Sequence, residues 1–494
     1  MSGDAPPPPS PLPLEKIQGN ILRGYRMAYA RHFALRVTDP AAARAFILSL
    51  VAPPGEGLRV TSAELWCEKP AYCLNLSITY PGLVALQVPD ATLQSFMATP
   101  SNPPGLGEPH RAFIMGAVKS AGAIGDQGSS APPWEMDDRR FHVMLSLYAD
   151  EYDRLDRLTG ELEGAWASAF AQAGDTFEAQ DLPDDFVYFG YHDNIAQPTV
   201  AGGAPRHPDG GQPKVDPGAF LLGTATTTFF QTVPVPSPLP FGLYGSFAAF
   251  RKLEQDVDGF DDHVSRTAEQ QKDMLDQSFG VKDAALAQDV VKAWICGRWP
   301  NGTPLALSPV GGDKPAPGLP KSQLNNFRYV LPDGSPNQDP AGRPDLGEHV
   351  PVGCHIRRAN NRDAPRGDPT ETRRIMRRAK PYQIPYDAAD RNSGTRGLMG
   401  FFMGASLNYQ FEFVQKSWMN ASTGFSVVTD PADPMMGGTD PQYETIKVPK
   451  PGTDPAAYKN SRIGMQGFVT TKASAYVFFP GIDALHWIGK LTSV

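Results

Sequence analysis

The segment Gly190-Tyr-His-Asp-Asn-Ile-Ala-Gln-Pro198 is the most informative stretch of this 494-residue chain. A glycine and a proline bracket it, so the carboxyl group of Asp193 is expected in a stiffened loop. A distant segment, Cys354-His-Ile-Arg-Arg-Ala-Asn360, supplies a histidine followed by arginines, and Arg373-Arg-Ile-Met-Arg-Arg378 supplies more. Together the three segments combine imidazole, carboxylate and guanidinium groups in surroundings marked by Gly, Pro and apolar residues.

Four side chains carry the candidate chemistry. A neutral imidazole at His355 can ligate haem iron. On the opposite side of the haem, Asp193 would move the proton of hydrogen peroxide, and Arg377 would stabilise charge on the departing oxygen. Glu412, which alternates with aromatic residues on a predicted strand, would accept the His355 Nδ1–H and raise the basicity of that ligand. This set of groups is the one that a haem peroxidase requires.

Each candidate also has a plainer interpretation. A histidine in a basic loop is more often structural than a ligand, and an aspartate next to Asn194 is often the cap of an Asx turn. The arginines of 373–378 could form a solvated basic run, and Glu412 could face outward from its strand. Adjacent side chains of an extended segment point in opposite directions, so His192 and Asp193 are not both expected to face the iron.

The composition excludes several classes of protein. The balance of 45 basic and 53 acidic residues, a net charge of −8, argues against a nucleic-acid partner. The four cysteines form neither CxxC nor CxxCH, which argues against a zinc site, a disulfide framework and covalent haem attachment. No apolar stretch approaches about 18 residues, so no membrane span is expected. The N-terminus lacks the pattern of a signal peptide, so the cytoplasm is the default compartment, although a mature secreted form would look the same.

Apolar patterning predicts an α+β fold. Strands are expected at 31–37, 73–79, 140–148, 244–253 and 404–413, and helices at 39–50, 89–97, 150–171, 258–277 and around 414–419, with a further helix opening at 80–83. The repeated strand–helix–strand order indicates antiparallel sheets with peripheral helices, and favours a duplicated ferredoxin-like unit. The expected division is a disordered Pro-rich arm (1–16), an N-terminal domain that ends in the Asp193 loop (17–200) and a C-terminal haem-binding domain (201–494).

These motifs resemble those of the dye-decolorising peroxidases. The family's GxxDG signature is similar to Gly190-Tyr-His-Asp-Asn194, its His-Ile-Arg segment to His355-Ile-Arg357, and its Ile-Met-Arg segment to Ile375-Met-Arg377. Supporting matches follow in the expected order at 17–22, 297–305, 410–413 and 478–482. Asn194 stands where the family has glycine. Asparagine is the next most tolerant residue at positive φ, so the loop conformation is expected to survive.

The resemblance implies two ferredoxin-like domains with non-covalent haem b held mainly by the C-terminal one, in the larger fungal-type and related bacterial branch. It implies His355 as the axial ligand, Asp193 and Arg377 as the pair on the peroxide side, and Glu412, at a spacing that varies among family members, as the partner of His355. Further cofactor contacts are expected from Ile195, Gln197, Arg358, Leu398 and Phe402, of which Arg358 would meet a propionate and the last two would form an apolar wall.

The activity that the resemblance implies is reduction of hydrogen peroxide coupled to one-electron oxidation of anthraquinone and azo dyes, phenols and similar aromatics. Because a large dye cannot reach a buried haem, electrons are expected to leave through a surface aromatic residue, with Trp418 and Tyr409 as candidates. Two rival functions stay open. One is a haem-binding or storage protein with little turnover, and the other is a haem-free binding module. The oligomeric state is left open.

Overall fold

The structure is a computed structural model. It describes residues 12–53, 55, 57–97, 108–203, 214–225, 233–329, 349–360, 362, 373–387, 390, 392–420, 432–436, 445–447, 462–464 and 467–492. The strands within these ranges are β1 (Tyr29–Val37), β2 (Tyr72–Ile78), β3 (Met136–Asp137), β4 (Val143–Ala149), β5 (Phe170–Gln172), β6 (Phe177–Gln180), β7 (Ser246–Gln255), β8 (Met376–Ile384), β9 (Thr395–Gly404), β10 (Thr445–Lys447), β11 (Arg462–Gly464) and β12 (Val469–Phe479).

The α-helices surround these strands. Their bounds are α1 (Gly19–Leu22), α2 (Pro40–Val51), α3 (Tyr80–Ala85), α4 (Asp90–Ser95), α5 (Arg111–Met115), α6 (Ala117–Ser120), α7 (Tyr152–Trp166), α8 (Leu239–Gly242), α9 (Val257–Gln270), α10 (Lys272–Phe279), α11 (Ala284–Cys296), α12 (His355–Ala359) and α13 (Ile482–Gly489). Two π-helical segments, Asn408–Glu412 and Val414–Met419, follow β9.

Two halves of the main sheet repeat one strand order. The order is β5-β1-β4-β2 in the first half and β12-β7-β9-β8 in the second. When the four strands of each half are numbered in chain order, both halves have the spatial order 4-1-3-2. All neighbours in that order are antiparallel. This is the ferredoxin-like arrangement, so the predicted α+β class and its duplication are confirmed.

The two halves meet within one continuous sheet. Ile78 of β2 pairs with Phe478 of β12, and the short strand β3 of the first half runs parallel to β12. The expected domain boundary at residue 200 falls between β6, the last strand of the first half, and β7, the first strand of the second. The position of that boundary stays a prediction.

Among the described residues, the three largest apolar cores hold the fold together. Phe33 and Leu35 of β1 belong to the core under α2 and α7, whereas Ala34 belongs to the core on the opposite face, as the alternation of a strand requires. A third core lies around α9 and α11, and Cys354 is part of it. Cys354 is buried with a free thiol, in agreement with its interpretation as a small core residue.

The predicted N-terminal boundaries need one correction. Asp39 caps α2 as predicted, because its carboxylate accepts hydrogen bonds from the N–H groups of Ala41 and Ala42. The predicted disordered arm 1–16 is too long. Leu14–Lys16 forms a 3₁₀-helical turn, and Lys16 forms an ion pair of 2.9 Å with Asp483. The remainder of that arm lies outside the described residues.

The strand predicted at 404–413 is wrong. β9 ends at Gly404, and the chain continues into the π-helical segments. The alternation of aromatic residues suggested a period of two. The positions that are buried, however, include Leu407, Phe411, Val414 and Trp418, whose steps of three and four residues fit one face of a helix and not a strand. Within the described part of the chain, no helix is long and apolar enough to span a bilayer.

Candidate active site

The loop that carries Asp193 is pinned by its backbone. The Asp193 N–H donates to the carbonyl of Asp185 at 2.8 Å, and the His192 N–H donates to that of Pro300 at 2.8 Å. Gly190 and Asn194 both have positive φ, at 78° and 60°. The expectation that asparagine preserves the loop is therefore confirmed, since asparagine is among the residues that tolerate this region best.

His192 and Asp193 have different surroundings although they are neighbours. The His192 ring packs against Phe186 with 5.7 Å between centroids, and its buried Nδ1 has no partner among the described residues. The carboxylate of Asp193 is exposed. Asp193 is thus free to meet a small molecule, whereas His192 is occupied with packing.

Arg377 is clamped by the same loop. Its backbone N–H donates to Gln197 Oε1 at 3.0 Å, and its Nη2 donates to the Ala196 carbonyl at 2.9 Å. Burial lowers the pKa of Arg377, and the negative charge of Asp193 opposes that effect. A guanidinium stays protonated under these conditions, so the loop holds a fixed positive charge near the Asp193 carboxylate.

The predicted apolar wall is only partly near Arg377. Phe402 lies directly opposite Arg377 in the β8–β9 pairing, so their side chains project from the same face of the sheet. Leu398 projects from that face as well, but it lies four residues along β9, about 13 Å away at 3.3 Å per residue. Ile195 packs over Gly302, where an added Cβ would come within 2.6 Å of Ile195 Cδ1.

His355 begins α12, and its orientation is set by a buried carboxylate. Its Nδ1 lies 3.0 Å from Oδ2 and 3.1 Å from Oδ1 of Asp433. Because a carboxylate accepts hydrogen bonds, Nδ1 carries the proton and Nε2 presents its lone pair. His355 Nε2 has no hydrogen-bond partner among the residues that the structure describes, so it is available to a metal.

Asp433 is itself held by backbone groups. Its Oδ1 accepts hydrogen bonds from the N–H groups of Met435 at 2.9 Å and Met436 at 2.8 Å. Burial opposes the charge on Asp433, but His355 outweighs it and keeps the pKa of that carboxyl below its usual value. Burial likewise opposes protonation of His355, and the charge and hydrogen bond of Asp433 raise the pKa of the imidazole above its usual value.

The prediction that Glu412 is the partner of His355 needs correction, because Asp433 takes that place. Glu412 lies on the first π-helical segment, and its Oε1 accepts a hydrogen bond of 3.0 Å from the Tyr476 hydroxyl. The prediction placed Glu412 on a strand, whereas the π-helical segment directs its carboxylate to Tyr476. Asp433 was missed, and the only signal for it is the turn-forming Asp433-Pro434 dipeptide in an otherwise uninformative loop.

Arg358 connects α12 to the second π-helical segment. Its Nε donates to the Gly353 carbonyl at 3.0 Å and its Nη1 to the Trp418 carbonyl at 2.9 Å. These contacts position the helix that carries His355. The electron-exit candidates Trp418 and Tyr409 are buried, at 4% and 5% exposure, so neither presents its ring to a bulky donor and the surface role predicted for them is wrong.

The three central groups lie close enough for their charges to interact. The charges of Asp193 and Arg377 both act on the pKa of His355, and that of Asp193 acts on Arg377. The His355 side chain keeps 30% of its surface accessible, yet burial is the largest influence on its pKa. The accessible part of His355 therefore borders a space, called the cavity below, that lies near Asp193 and Arg377.

The residues around this cavity fit haem. No cluster of three His, Cys, Asp or Glu side chains suited to a metal ion occurs among the described residues, so iron at His355 would have to bring most of its ligands with it, as haem iron does. The buried Nη2 of Arg298 has no partner in the described part of the chain, and the Arg377 charge acts on the Arg298 pKa. An unpaired guanidinium nitrogen beside the cavity suits a carboxylate such as a haem propionate.

Comparison with known proteins identifies relatives along the whole chain. The sequence matches no protein-family model. It is 28% identical over 502 residues to the dye-decolorizing peroxidase AauDyP1 of Auricularia auricula-judae, covering 98% of this chain and 87% of that protein. It is 24% identical to the multifunctional dye peroxidase DyP2 of Amycolatopsis sp., covering 96% of this chain and 95% of the relative.

Comparison with solved structures also finds dye-decolorizing peroxidases. A dye-decolorizing peroxidase in complex with 2,6-dimethoxyphenol superposes with a TM-score of 0.74 at 25% identity, covering 97% of this chain and 100% of that one. The fungal DyP-type peroxidase of Auricularia auricula-judae superposes with a TM-score of 0.75 at 24% identity, covering the same shares. Fold, site and relatives define a peroxidase. Along its whole length the chain is similar to the dye-decolorising peroxidases, and the fungal-type branch fits.

Proposed function

We propose that this protein is a haem peroxidase that reduces hydrogen peroxide and oxidises bulky aromatic donors in one-electron steps. The observation that carries the proposal is the imidazole of His355, anchored 3.0 Å from Asp433 and close enough to Asp193 and Arg377 for their charges to act on it. The relatives named as peroxidases favour this function over haem storage, and the neighbour bound to 2,6-dimethoxyphenol supports a phenolic donor.

The cofactor that suits this site is haem b, bound without covalent attachment. His355 Nε2 would ligate the iron, and the unpaired Nη2 of Arg298 would meet a propionate. When bound, haem supplies a metal centre that splits the O–O bond and holds two oxidising equivalents. Asp433 keeps the proton on Nδ1 of His355, which makes Nε2 a stronger donor and stabilises oxidised iron.

On the peroxide side, two side chains divide the work. The exposed carboxylate of Asp193 takes the proton from the near oxygen of hydrogen peroxide and returns it to the far oxygen as water forms. Arg377 stabilises the negative charge that builds on that departing oxygen. Because Ala196 and Gln197 hold Arg377 in place, its guanidinium needs no rearrangement during the step.

The ultraviolet–visible spectrum of the haem-reconstituted protein tests the proposal. We expect a Soret band in the wild type that changes on addition of one equivalent of hydrogen peroxide, and a shifted or weakened band in His355→Ala. His486→Ala, a histidine on α13 outside the cavity, is the control and should match the wild type. A Soret band that peroxide leaves unchanged would contradict the peroxidase function, and the absence of haem binding would contradict the site.

A further inference from the structure

A buried tyrosine is hydrogen-bonded to a carboxylate beside the candidate active site. Tyr476 in the middle of β12 is fully buried, and its hydroxyl donates to Glu412 Oε1 at 3.0 Å. Glu412 is half-buried on the first π-helical segment. The proposed peroxidase mechanism uses neither residue.

Ring contacts connect this pair to the cavity. Phe402, which lies opposite Arg377, contacts Phe411 with 5.7 Å between centroids, and Phe411 contacts Tyr476 at 6.1 Å. Tyr476 is therefore two aromatic contacts from the residue that borders the peroxide side of the site.

The π-helical segments also connect the pair to both sides of the site. Gln410 Nε2 donates to the carbonyl of Arg374 at 2.8 Å, three residues before Arg377 on the peroxide side. The Trp418 carbonyl accepts a hydrogen bond from Arg358 on the His355 side. Glu412 lies between these two points, at most about 9 Å along the helix axis from Trp418 at 1.5 Å per residue.

The chemistry of a buried phenol makes its partner decisive. Removal of one electron turns a phenol into a strong acid, and a positive charge left in the interior without a partner is very costly. Oxidation is therefore accessible only where a base can take the proton through an existing hydrogen bond. Burial, followed by the nearby charge of Glu412, raises the pKa of Tyr476, so the phenol keeps its proton until it is oxidised.

Two other buried tyrosines lack such a base among the described residues. Tyr25 donates to the amide oxygen of Asn75 at 2.8 Å, a group that does not take up a proton at ordinary pH. The buried hydroxyl of Tyr382 has no hydrogen-bond partner among the described residues. Tyr382 is therefore the matched control for a buried phenol without a proton acceptor.

We infer that Tyr476 is an internal electron donor to the peroxide-oxidised cofactor, with Glu412 as the acceptor of its proton. One electron passes from the phenol to the cofactor, the O–H bond of Tyr476 breaks, and the proton binds Glu412 Oε1. The products are a neutral tyrosyl radical and a neutral carboxylic acid, so no net charge is created in the interior. An electron from an aromatic donor at the surface, transferred through the protein because Tyr476 is buried, then reduces the radical, and the proton returns from Glu412.

This inference rests on the proposed peroxidase function, and one experiment separates the two. Haem-reconstituted protein containing ring-deuterated tyrosine is mixed with one equivalent of hydrogen peroxide without donor, frozen within milliseconds to seconds and examined by electron paramagnetic resonance. Absorption spectra of the same samples report whether the cofactor has reacted. We expect a tyrosyl signal that narrows on deuteration, is lost in Tyr476→Phe and persists in Tyr382→Phe.

Glu412→Gln distinguishes a proton acceptor from a structural hydrogen bond. The amide oxygen still accepts a hydrogen bond from Tyr476 but cannot take its proton, so the tyrosyl signal should also be lost in this variant. A signal that survives in both Tyr476→Phe and Glu412→Gln, or a wild type whose cofactor reacts without forming a tyrosyl radical, overturns the inference alone. A cofactor that peroxide leaves unchanged overturns the inference and the peroxidase function together.

Discussion

The imidazole Nδ1 of His355 lies 3.0 Å from the buried carboxylate of Asp433, although 78 positions separate the two residues in the sequence. The backbone N–H groups of Met435 and Met436 hold that carboxylate. The pair therefore presents His355 Nε2 to the cavity in one tautomer and one orientation, and it governs how strongly the imidazole donates to a bound metal.

Replacement of Asp433 should alter the cofactor's redox behaviour. In Asp433→Asn the imidazole loses its anionic partner, so oxidised iron is less stabilised and the midpoint potential should rise. Activity or haem affinity should fall about 10- to 100-fold, the range typical for such partners. Spectroelectrochemistry measures the potential. Glu412→Gln is the comparison, and a larger shift there than in Asp433→Asn would contradict the structural assignment.

Replacement of Asp193 should slow the reaction with peroxide and leave haem binding intact. Asp193→Asn retains the shape of the side chain but cannot shuttle a proton, so the second-order rate constant for peroxide should fall about 10²- to 10⁴-fold. Stopped-flow absorption measures that constant. His192→Gln, at the adjacent packed position, should stay within a factor of a few, and a comparable loss there would assign the proton transfer to the wrong residue.

Gln197 should act through Arg377. Arg377→Leu removes the charge that stabilises the departing oxygen and should lower the peroxide rate about 10²- to 10³-fold. Gln197→Ala removes the acceptor for the Arg377 N–H and leaves the guanidinium present, so its loss should be smaller. In the double variant the effect of Gln197→Ala should nearly vanish, because residues in one network are not additive. Full additivity in this cycle would show that Gln197 acts independently.

Asp138 should make stability depend on pH. Burial raises the pKa of this carboxyl from 3.8 to about 6, against the hydrogen bonds that it accepts from Ala117 and Tyr476. At a pH between 3.8 and about 6, the Asp138 carboxyl of the folded protein keeps a proton that the same group has released in the unfolded chain. Stability therefore falls as pH rises from about 4 to 6 and is unaffected above that window. The loss attributable to Asp138 is roughly 3 kcal/mol, at 1.36 kcal/mol per unit.

Urea unfolding at pH 4.5 and pH 7.5 measures that loss. Asp138→Asn does not titrate, so the wild type should lose stability relative to this variant as the pH is raised. Parallel stabilities of the two proteins across this range would mean that the folded state does not protonate Asp138.

Several local elements were predictable because neighbouring residues decide them. The strand at Tyr29–Val37 and the capped helix that follows it match the apolar period and the Asp39 cap. The positive φ of Asn194 follows from the backbone tolerance of asparagine. The segment after Gly404 misled the prediction, because alternating aromatic residues there fit a strand locally while packing selects a π-helix.

The sequence by itself determined the duplicated α+β fold and the family resemblance, and it predicted three candidate site residues, His355, Asp193 and Arg377. Each depends on a contiguous motif or on periodicity along a short segment. The tertiary structure alone decided three features: the partner of His355, the burial of Trp418 and the hydrogen bond from Tyr476 to Glu412. Such contacts join segments tens of residues apart, and which carboxylate reaches which donor depends on how the sheet and helices pack, not on the neighbours of either residue.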